Sequence, residues 1–303
     1  MRVWHCRPYP KEPRFVHELR RYAFPMLDAW HARQGPLPWS PGELVVFWGG
    51  VAARHLPQNR LALQHTAAVN HGAPTTEHLR IGRNPTVSST VKTTEQTLVA
   101  QKDNWGALVR TCPWSARRVE EDYQKTLPWT DLLYHPIPVR PAKTERDSAR
   151  PMILGDWRNP NKGSTLISRL AALMPEFTFC RMNCPEETVQ DLHDRADIYL
   201  MLSTSEGGCF SLLDSMARGN VTVATNVGIF GEPQAAEGAG FVFPWEKRED
   251  VKFVSEVIKN AWGQRNERHP QDWIRDNCDP ETWGIRWKHL AERVLDSCRN
   301  QNG

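Results

Sequence analysis

Hydrophobic and polar positions change rhythm near the middle of the chain. From residue 151 onward, short apolar runs alternate with stretches of helical periodicity. Residues 151–156 (PMILGD) read as a buried strand ending in polar positions. Residues 164–174 follow with Leu166, Ile167, Leu170 and Leu173 on one face of a predicted helix. The alternation continues with strands at 177–180, 197–203, 221–224 and 241–243, and helices at 186–195, 210–217, 249–262, 270–276 and 281–299. Strands interleaved with helices of this length imply a parallel, doubly wound sheet with its ligand at the carboxyl ends of the strands. The first half alternates less cleanly. Strands are predicted at 2–5, 44–47, 61–64, 86–89, 107–110 and 132–135, and helices at 14–32, 92–102 and 115–125. The polar, Pro-containing stretch 138–150 (PVRPAKTERDSAR) is the natural place for a linker. The expected architecture is α/β, with two Rossmann-like doubly wound domains facing a cleft.

Composition narrows the class. The longest apolar run, residues 44–53, has ten residues including two glycines. A membrane span needs ~20. The residues at the start lack a secretory apolar segment, and seven cysteines show no framework spacing. These features predict a cytoplasmic protein with free thiols, and no transmembrane segment. The net charge of +3 hides a split. Residues 1–150 carry 21 Lys and Arg against 13 Asp and Glu, whereas residues 151–303 carry 17 against 22. A basic first half suits an anionic partner. Most of the 13 tryptophans are expected in cores, with a few free to stack on ligands.

Two loops carry the candidate chemistry. In the first, Gly155-Asp156-Trp157-Arg158-Asn159-Pro160-Asn161-Lys162-Gly163 follows a strand and opens a helix. Amides at a helix start, joined by Arg158 and Lys162, suit a diphosphate whose negative charge grows as its bond breaks. The second loop runs Ser205-Glu206-Gly207-Gly208-Cys209-Phe210-Ser211-Leu212-Leu213-Asp214. Gly207 and Gly208 permit close approach of a ligand to the backbone. The neighbouring amides through Phe210 can donate to sugar or phosphate oxygens, and Asp214 is suited to a vicinal diol such as a ribose. A dinucleotide fingerprint, Gly-x-Gly-x-x-Gly after a first strand, is not present, which argues against an NAD-dependent oxidoreductase. Cys180, Cys184 and His193 lack metal-ligand spacing.

On these residues, the segment from 152 to 295 resembles the retaining nucleotide-sugar glycosyltransferases of family 4, which have the two-domain GT-B fold. Gly155 to Gly163 looks like the family's G-R-x-x-x-K-G element. Glu206 and Asp214 are similar to its Glu-x7-Glu pair, with Asp in the second place. The following Ala217-Arg218-Gly219-Asn220-Val221 carries Asn220 where the family has proline. The resemblance implies domains at 1–142 (acceptor-binding) and 143–280 (donor-binding), and a closing helix at 281–303 that packs back on the first. It implies a hexosyltransferase that moves a sugar from a nucleotide sugar, read as a UDP-sugar, to a hydroxyl acceptor. The catalytic set is then Arg158, Lys162, Glu206 and His65. The donor pocket adds Gly155, Asp156, Gly207, Gly208, Cys209, Phe210, Ser211 and Asp214.

No Asp-x-Asp pair occurs, so leaving-group charge falls to Arg158 and Lys162 without a metal or other cofactor. On the acceptor side the candidates are Gly49 and Gly50 after the run 44–48, and His65 and His71. His65 is preferred because it would end a strand at 61–64. The basic half favours a polyanionic acceptor, and a hydroxymethylated base in DNA is placed ahead of a cell-surface glycan or lipid-linked acceptor. A reading from another class is a non-catalytic nucleic-acid-binding protein, which leaves Glu206 and Asp214 unexplained.

Overall fold

The computed structural model describes residues 1–7, 14–31, 37, 39–40, 42–48, 66–70, 96, 99–141 and 150–301. The chain forms two compact units. The first joins Met1–Pro136 to Pro280–Gly303, and the second is Ile137–Asp279. The chain thus leaves the first unit at Pro136, a few residues before the expected boundary at 142. Residues 142–149 of the anticipated linker lie outside the described residues.

The first unit is built on a parallel sheet of β1 (Val3–Arg7), β2 (Leu27–His31), β3 (Leu44–Trp48), β4 (Thr66–Asn70), β5 (Ala107–Arg110) and β6 (Asp131–Leu132). The described strands are ordered β2-β1-β3-β4-β5-β6. Alternate residues serve opposite faces, as the pleat requires. Val3, Leu27, Leu44, Val46, Ala67, Ala107 and Val109 pack on one face. Trp4, Cys6, Trp30, Val45, Ala68 and Leu108 pack on the other. Such two-sided burial explains why β3 (LVVFW) reads as a continuous apolar run. The first face is covered by α1 (Arg14–Glu18) with the π-turn Leu19–Ala23, and by α9 (Pro280–Gln301), which supplies Trp283, Trp287, Leu290 and Val294. The second face receives α2 (Pro113–Tyr123) through Val119.

The helix expected at 14–32 is half as long. Phe24 N–H closes on Leu19 O at 2.7 Å, and the chain then turns at exposed Pro25. Proline lacks an amide donor and disfavours helix at the residue before it. The remaining residues become β2, paired in parallel with β1 from Val3↔Leu27 to Arg7↔His31. The strand expected at 132–135 is reduced to Asp131–Leu132. The elements expected at 61–64 and 86–89, and most of that at 92–102, fall outside the described residues.

The second unit holds β7 (Met152–Gly155), β8 (Thr178–Arg181), β9 (Ile198–Met201), β10 (Val221–Thr225) and β11 (Phe241–Phe243). All pair in parallel in the order β11-β10-β9-β7-β8. One face packs on α3 (Ile167–Leu173) and α7 (Val251–Gly263), through Leu170, Val254, Ile258 and Ala261. The remaining helices are α4 (Glu186–Arg195), α5 (Phe210–Met216), α6 (Pro233–Ala239) and α8 (Pro270–Cys278). From β7 the chain steps to β8 on one side and then to β9 on the other. The reversal makes the gap between β7 and β9 a topological switch point, where open α/β sheets bind ligands. Among the described residues no helix is long and apolar enough to cross a membrane.

Candidate functional site

Both loops singled out in the sequence leave the sheet at this switch point. The first follows β7 and the second follows β9. Each is anchored from below. A Cβ on Gly155 would stand 2.3 Å from the Trp157 indole, so only glycine lets that ring fold under the strand end. Trp157 is buried and donates from Nε1 to Leu200 O at 3.1 Å, fixing the first loop to β9. Gly163 ends the loop at φ +85°, the left-handed region, with Leu202 against its open side.

The loops are also laced to each other. Thr204 N–H donates to Asn161 O at 3.1 Å, and the Thr204 hydroxyl meets Asn161 Oδ1. Arg248 Nη1 donates to Asn161 O and Leu202 O, each at 3.0 Å. Burial lowers the Arg248 pKa from its ordinary value. Sequence reasoning passed over Arg248, which lies far along the chain and has no local motif.

Four charged side chains converge in this frame. Arg158 donates from Nε and Nη2 to the two oxygens of Asp156, at 2.6 and 2.9 Å. Lys162 Nζ donates to Glu206 Oε1 and stands 3.6 Å from Asp156 Oδ2. Ser203 Oγ donates to the same Glu206 oxygen at 2.6 Å. Arg158 is 62% exposed, whereas Lys162 is 21%, Glu206 11% and Asp156 9% exposed. The Asp156 hydrogen bond raises the Arg158 pKa, against a smaller pull from burial. Burial draws the Lys162 ammonium down, but Glu206, Cys209 and Asp156 together outweigh it, and the net shift is upward. Both groups are therefore firmly cationic. Burial, helped by Glu206, pushes the Cys209 thiol up to about 12, so it stays neutral. Burial also raises Tyr199 well above its ordinary value, opposed by a hydrogen bond with Ser211.

The expected helix-start amides are otherwise engaged. The amide of Lys162 donates to Asn159 Oδ1 and O, that of Gly163 to Pro160 O, and that of Ser164 to Asn159 O, at 3.0–3.1 Å. The helix itself starts only at Ile167. These three amides are therefore not free for an anion, and Arg158 and Lys162 are the charged side chains that remain beside it.

In the second loop, Gly207, Gly208, Cys209, Phe210 and Ser211 lead into α5, which carries Asp214 at 6% exposure. Gly228, at φ +62°, closes against Glu206, where a Cβ would come within 2.8 Å of Glu206 Cβ. Asn220 uses Nδ2 to hold His193 O at 2.9 Å and Ser215 Oγ at 3.0 Å. The acceptor candidates Gly49, Gly50, His65 and His71 lie outside the described residues. The described strand nearest the histidines, β4, begins directly after His65 and ends directly before His71. The strand expected at 61–64, the ground for preferring His65, also lies outside the described residues.

Residues 142–270 match the family model described as Glycosyl transferases group 1. No curated protein sequence matches significantly. Solved structures are similar throughout. HepE of Anabaena, in complex with UDP-glucose, has a TM-score of 0.62 at 12% identity, covering 98% of this chain and 100% of that one. Sucrose-phosphate synthase from Thermosynechococcus elongatus has a TM-score of 0.68 at 12% identity, covering 98% and 89%. TarM has a TM-score of 0.57 at 11% identity, covering 82% of this chain but 54% of that one, so this chain spans about half of TarM. The two parallel-sheet units thus have the GT-B fold, and the second of them carries the match to group 1 glycosyl transferases.

Proposed function

We propose that this protein moves a hexosyl group from a nucleotide-sugar donor, a UDP-sugar, to a hydroxyl acceptor with retention of configuration. The observation that supports the reading most is the meeting of Arg158, Lys162, Glu206 and Asp156 at the switch point of the unit that matches group 1 glycosyl transferases. Two firmly cationic groups suit a diphosphate. Oε1 of Glu206 is taken by Lys162 and Ser203, which leaves Oε2 for a sugar hydroxyl. The glycines at 207 and 208 admit the sugar close to the backbone, and Asp214 holds the ribose diol.

In the step itself, the bond from the anomeric carbon to the diphosphate oxygen breaks and its electron pair leaves with the diphosphate. Arg158 and Lys162 stabilise the charge that develops there. The acceptor oxygen bonds to the same face of the anomeric carbon and passes its proton to the departing phosphate oxygen. No cofactor enters this scheme, and the two side-chain cations take the place of a metal. Incubation with a panel of nucleotide sugars in the absence of acceptor tests the donor half alone. Slow release of free sugar and nucleoside diphosphate from one of them is expected. Turnover of none, together with no UDP binding by calorimetry, defeats the reading.

A polyanionic acceptor is favoured by the charge division. The first unit carries 21 Lys and Arg against 14 Asp and Glu, and the second 17 against 21. DNA with hydroxymethylated bases is the first candidate, with Gly49, Gly50, His65 and His71 on the acceptor side. Retention on DNA should fall steeply with salt as counterion release weakens. Absent or salt-independent binding redirects the search to glycan or lipid-linked hydroxyls. DNA binding without any UDP binding would instead describe a non-catalytic nucleic-acid binder.

A further inference from the structure

The cations assigned to the donor diphosphate already have an anion. Asp156 sits directly after β7 with both oxygens in the Arg158 fork, at 2.6 and 2.9 Å, and with Lys162 Nζ at 3.6 Å. Its side chain is 9% exposed and cannot swing far, whereas Arg158 is 62% exposed and can. A guanidinium binds carboxylate and phosphate through the same kind of parallel hydrogen-bond pair, and Asp156 fills the Nε–Nη2 edge, so a diphosphate that takes this edge displaces it. We propose that Asp156 is a built-in competitor for Arg158 and Lys162, which makes donor binding an exchange of carboxylate for diphosphate and helps expel the nucleoside diphosphate product. The inference rests on the donor reading, since it places the diphosphate on these two cations.

Two consequences follow from the geometry. A ligand with one weak negative charge gains little by displacing Asp156, while a diphosphate brings more charge and more acceptor oxygens. After transfer, Asp156 is still within reach of Arg158 and can reclaim it as the product leaves. The exposed Arg158 half of the competition is screened by water, and the half-buried Lys162 half much less. Removing the competing carboxylate should then tighten diphosphate binding about five- to thirty-fold.

The test is calorimetric titration of UDP, and separately of inorganic pyrophosphate, into the full chain and its variants. Asp156→Asn should bind both anions tighter by that factor, and Asp156→Ala should do so without help from a new amide. When Arg158→Gln is combined with Asp156→Asn, the gain should shrink to about twofold, because competitor and contested group are coupled. In steady state, donor KM and kcat should fall together in Asp156→Asn as UDP release slows, a split that a merely destabilised fold does not give. Unchanged or weaker binding of both anions in both Asp156 variants, at wild-type melting temperature, overturns the proposal. If the wild type binds neither anion, or Arg158→Gln and Lys162→Gln leave UDP binding untouched, it is the donor reading that fails.

Discussion

Lys162→Ala probes the donor reading most directly. The ammonium bridges Glu206 and Asp156 and is 21% exposed, so it works in partly dry surroundings. Unit charges 4 Å apart interact by about 1 kcal/mol in water and about 4 kcal/mol at the effective dielectric of a protein surface. A leaving diphosphate held at that range gains a share of this as its charge grows. Loss of one such stabiliser costs ~2.7–4 kcal/mol of transition-state binding, or about 100- to 1,000-fold in kcat. The deletion also takes the ammonium from between Glu206, which keeps Ser203, and Asp156, which keeps Arg158, so two less-neutralised carboxylates face the incoming diphosphate and donor KM should rise as well. The assay is nucleoside diphosphate release, with and without acceptor, beside a thermal melt. Lys162→Arg should recover part of the loss, since it restores charge but not shape. The upward shift of the Lys162 pKa adds a further expectation: no fall in rate near the ordinary lysine value of 10.5 can be assigned to this group. Turnover within about threefold of wild type, with an unchanged melt, would refute the electrostatic argument.

Other outcomes check separate parts of the structure. Gly228→Ala should lower donor turnover about tenfold or more, because its Cβ would press within 2.8 Å of Glu206 Cβ at φ +62°; normal activity would show that Glu206 is not so confined. Gly284→Ala gains ~1 kcal/mol in helix propensity, yet its Cβ would stand 2.2 Å from the Tyr22 carbonyl oxygen. Overpacking against backbone, ~1–3 kcal/mol, should win, and a variant that melts at or above wild type contradicts that balance. Burial holds the thiols of Cys6 and Cys209 at about 12, against an ordinary 9.0. The native state therefore keeps these protons longer than the unfolded chain does. Their contribution to stability is intact below about pH 9 and is lost as pH rises toward about 12. Melting temperature should decline across that window, less so in Cys6→Ala, and a flat profile would count against the burial.

Much of the second unit is readable from the chain alone. Its strands are short, apolar and separated by helices with a clear stripe, and β11 and α4 fall at their expected bounds, as does β5 in the first unit. The first unit is harder because β2 (LDAWH) carries mixed residues that continue the helical rhythm of α1. Only its pairing with β1 makes it a strand. The site shows the same division. Glycines, cations and acids reveal which loops matter, since their chemistry is local. That Lys162 reaches Glu206 depends on how β7 and β9 lie side by side, and no spacing rule within either loop gives that. Asp156 is legible as a pocket residue but not as the partner of both Arg158 and Lys162. The bonds from Ser203 and Arg248 are equally hidden.

The first unit is assembled from two stretches of chain with the whole second unit between them. Its late contribution is α9, whose Trp283, Trp287, Leu290 and Val294 roof one face of the first sheet. During translation, a ribosome that has delivered everything through Asp279 has released all the material of the second unit, while that sheet face still lacks its roof. The unit begun first is therefore completed last, and its apolar sheet face stays uncovered for longer. A frameshift within α9 would accordingly strike the amino-terminal unit.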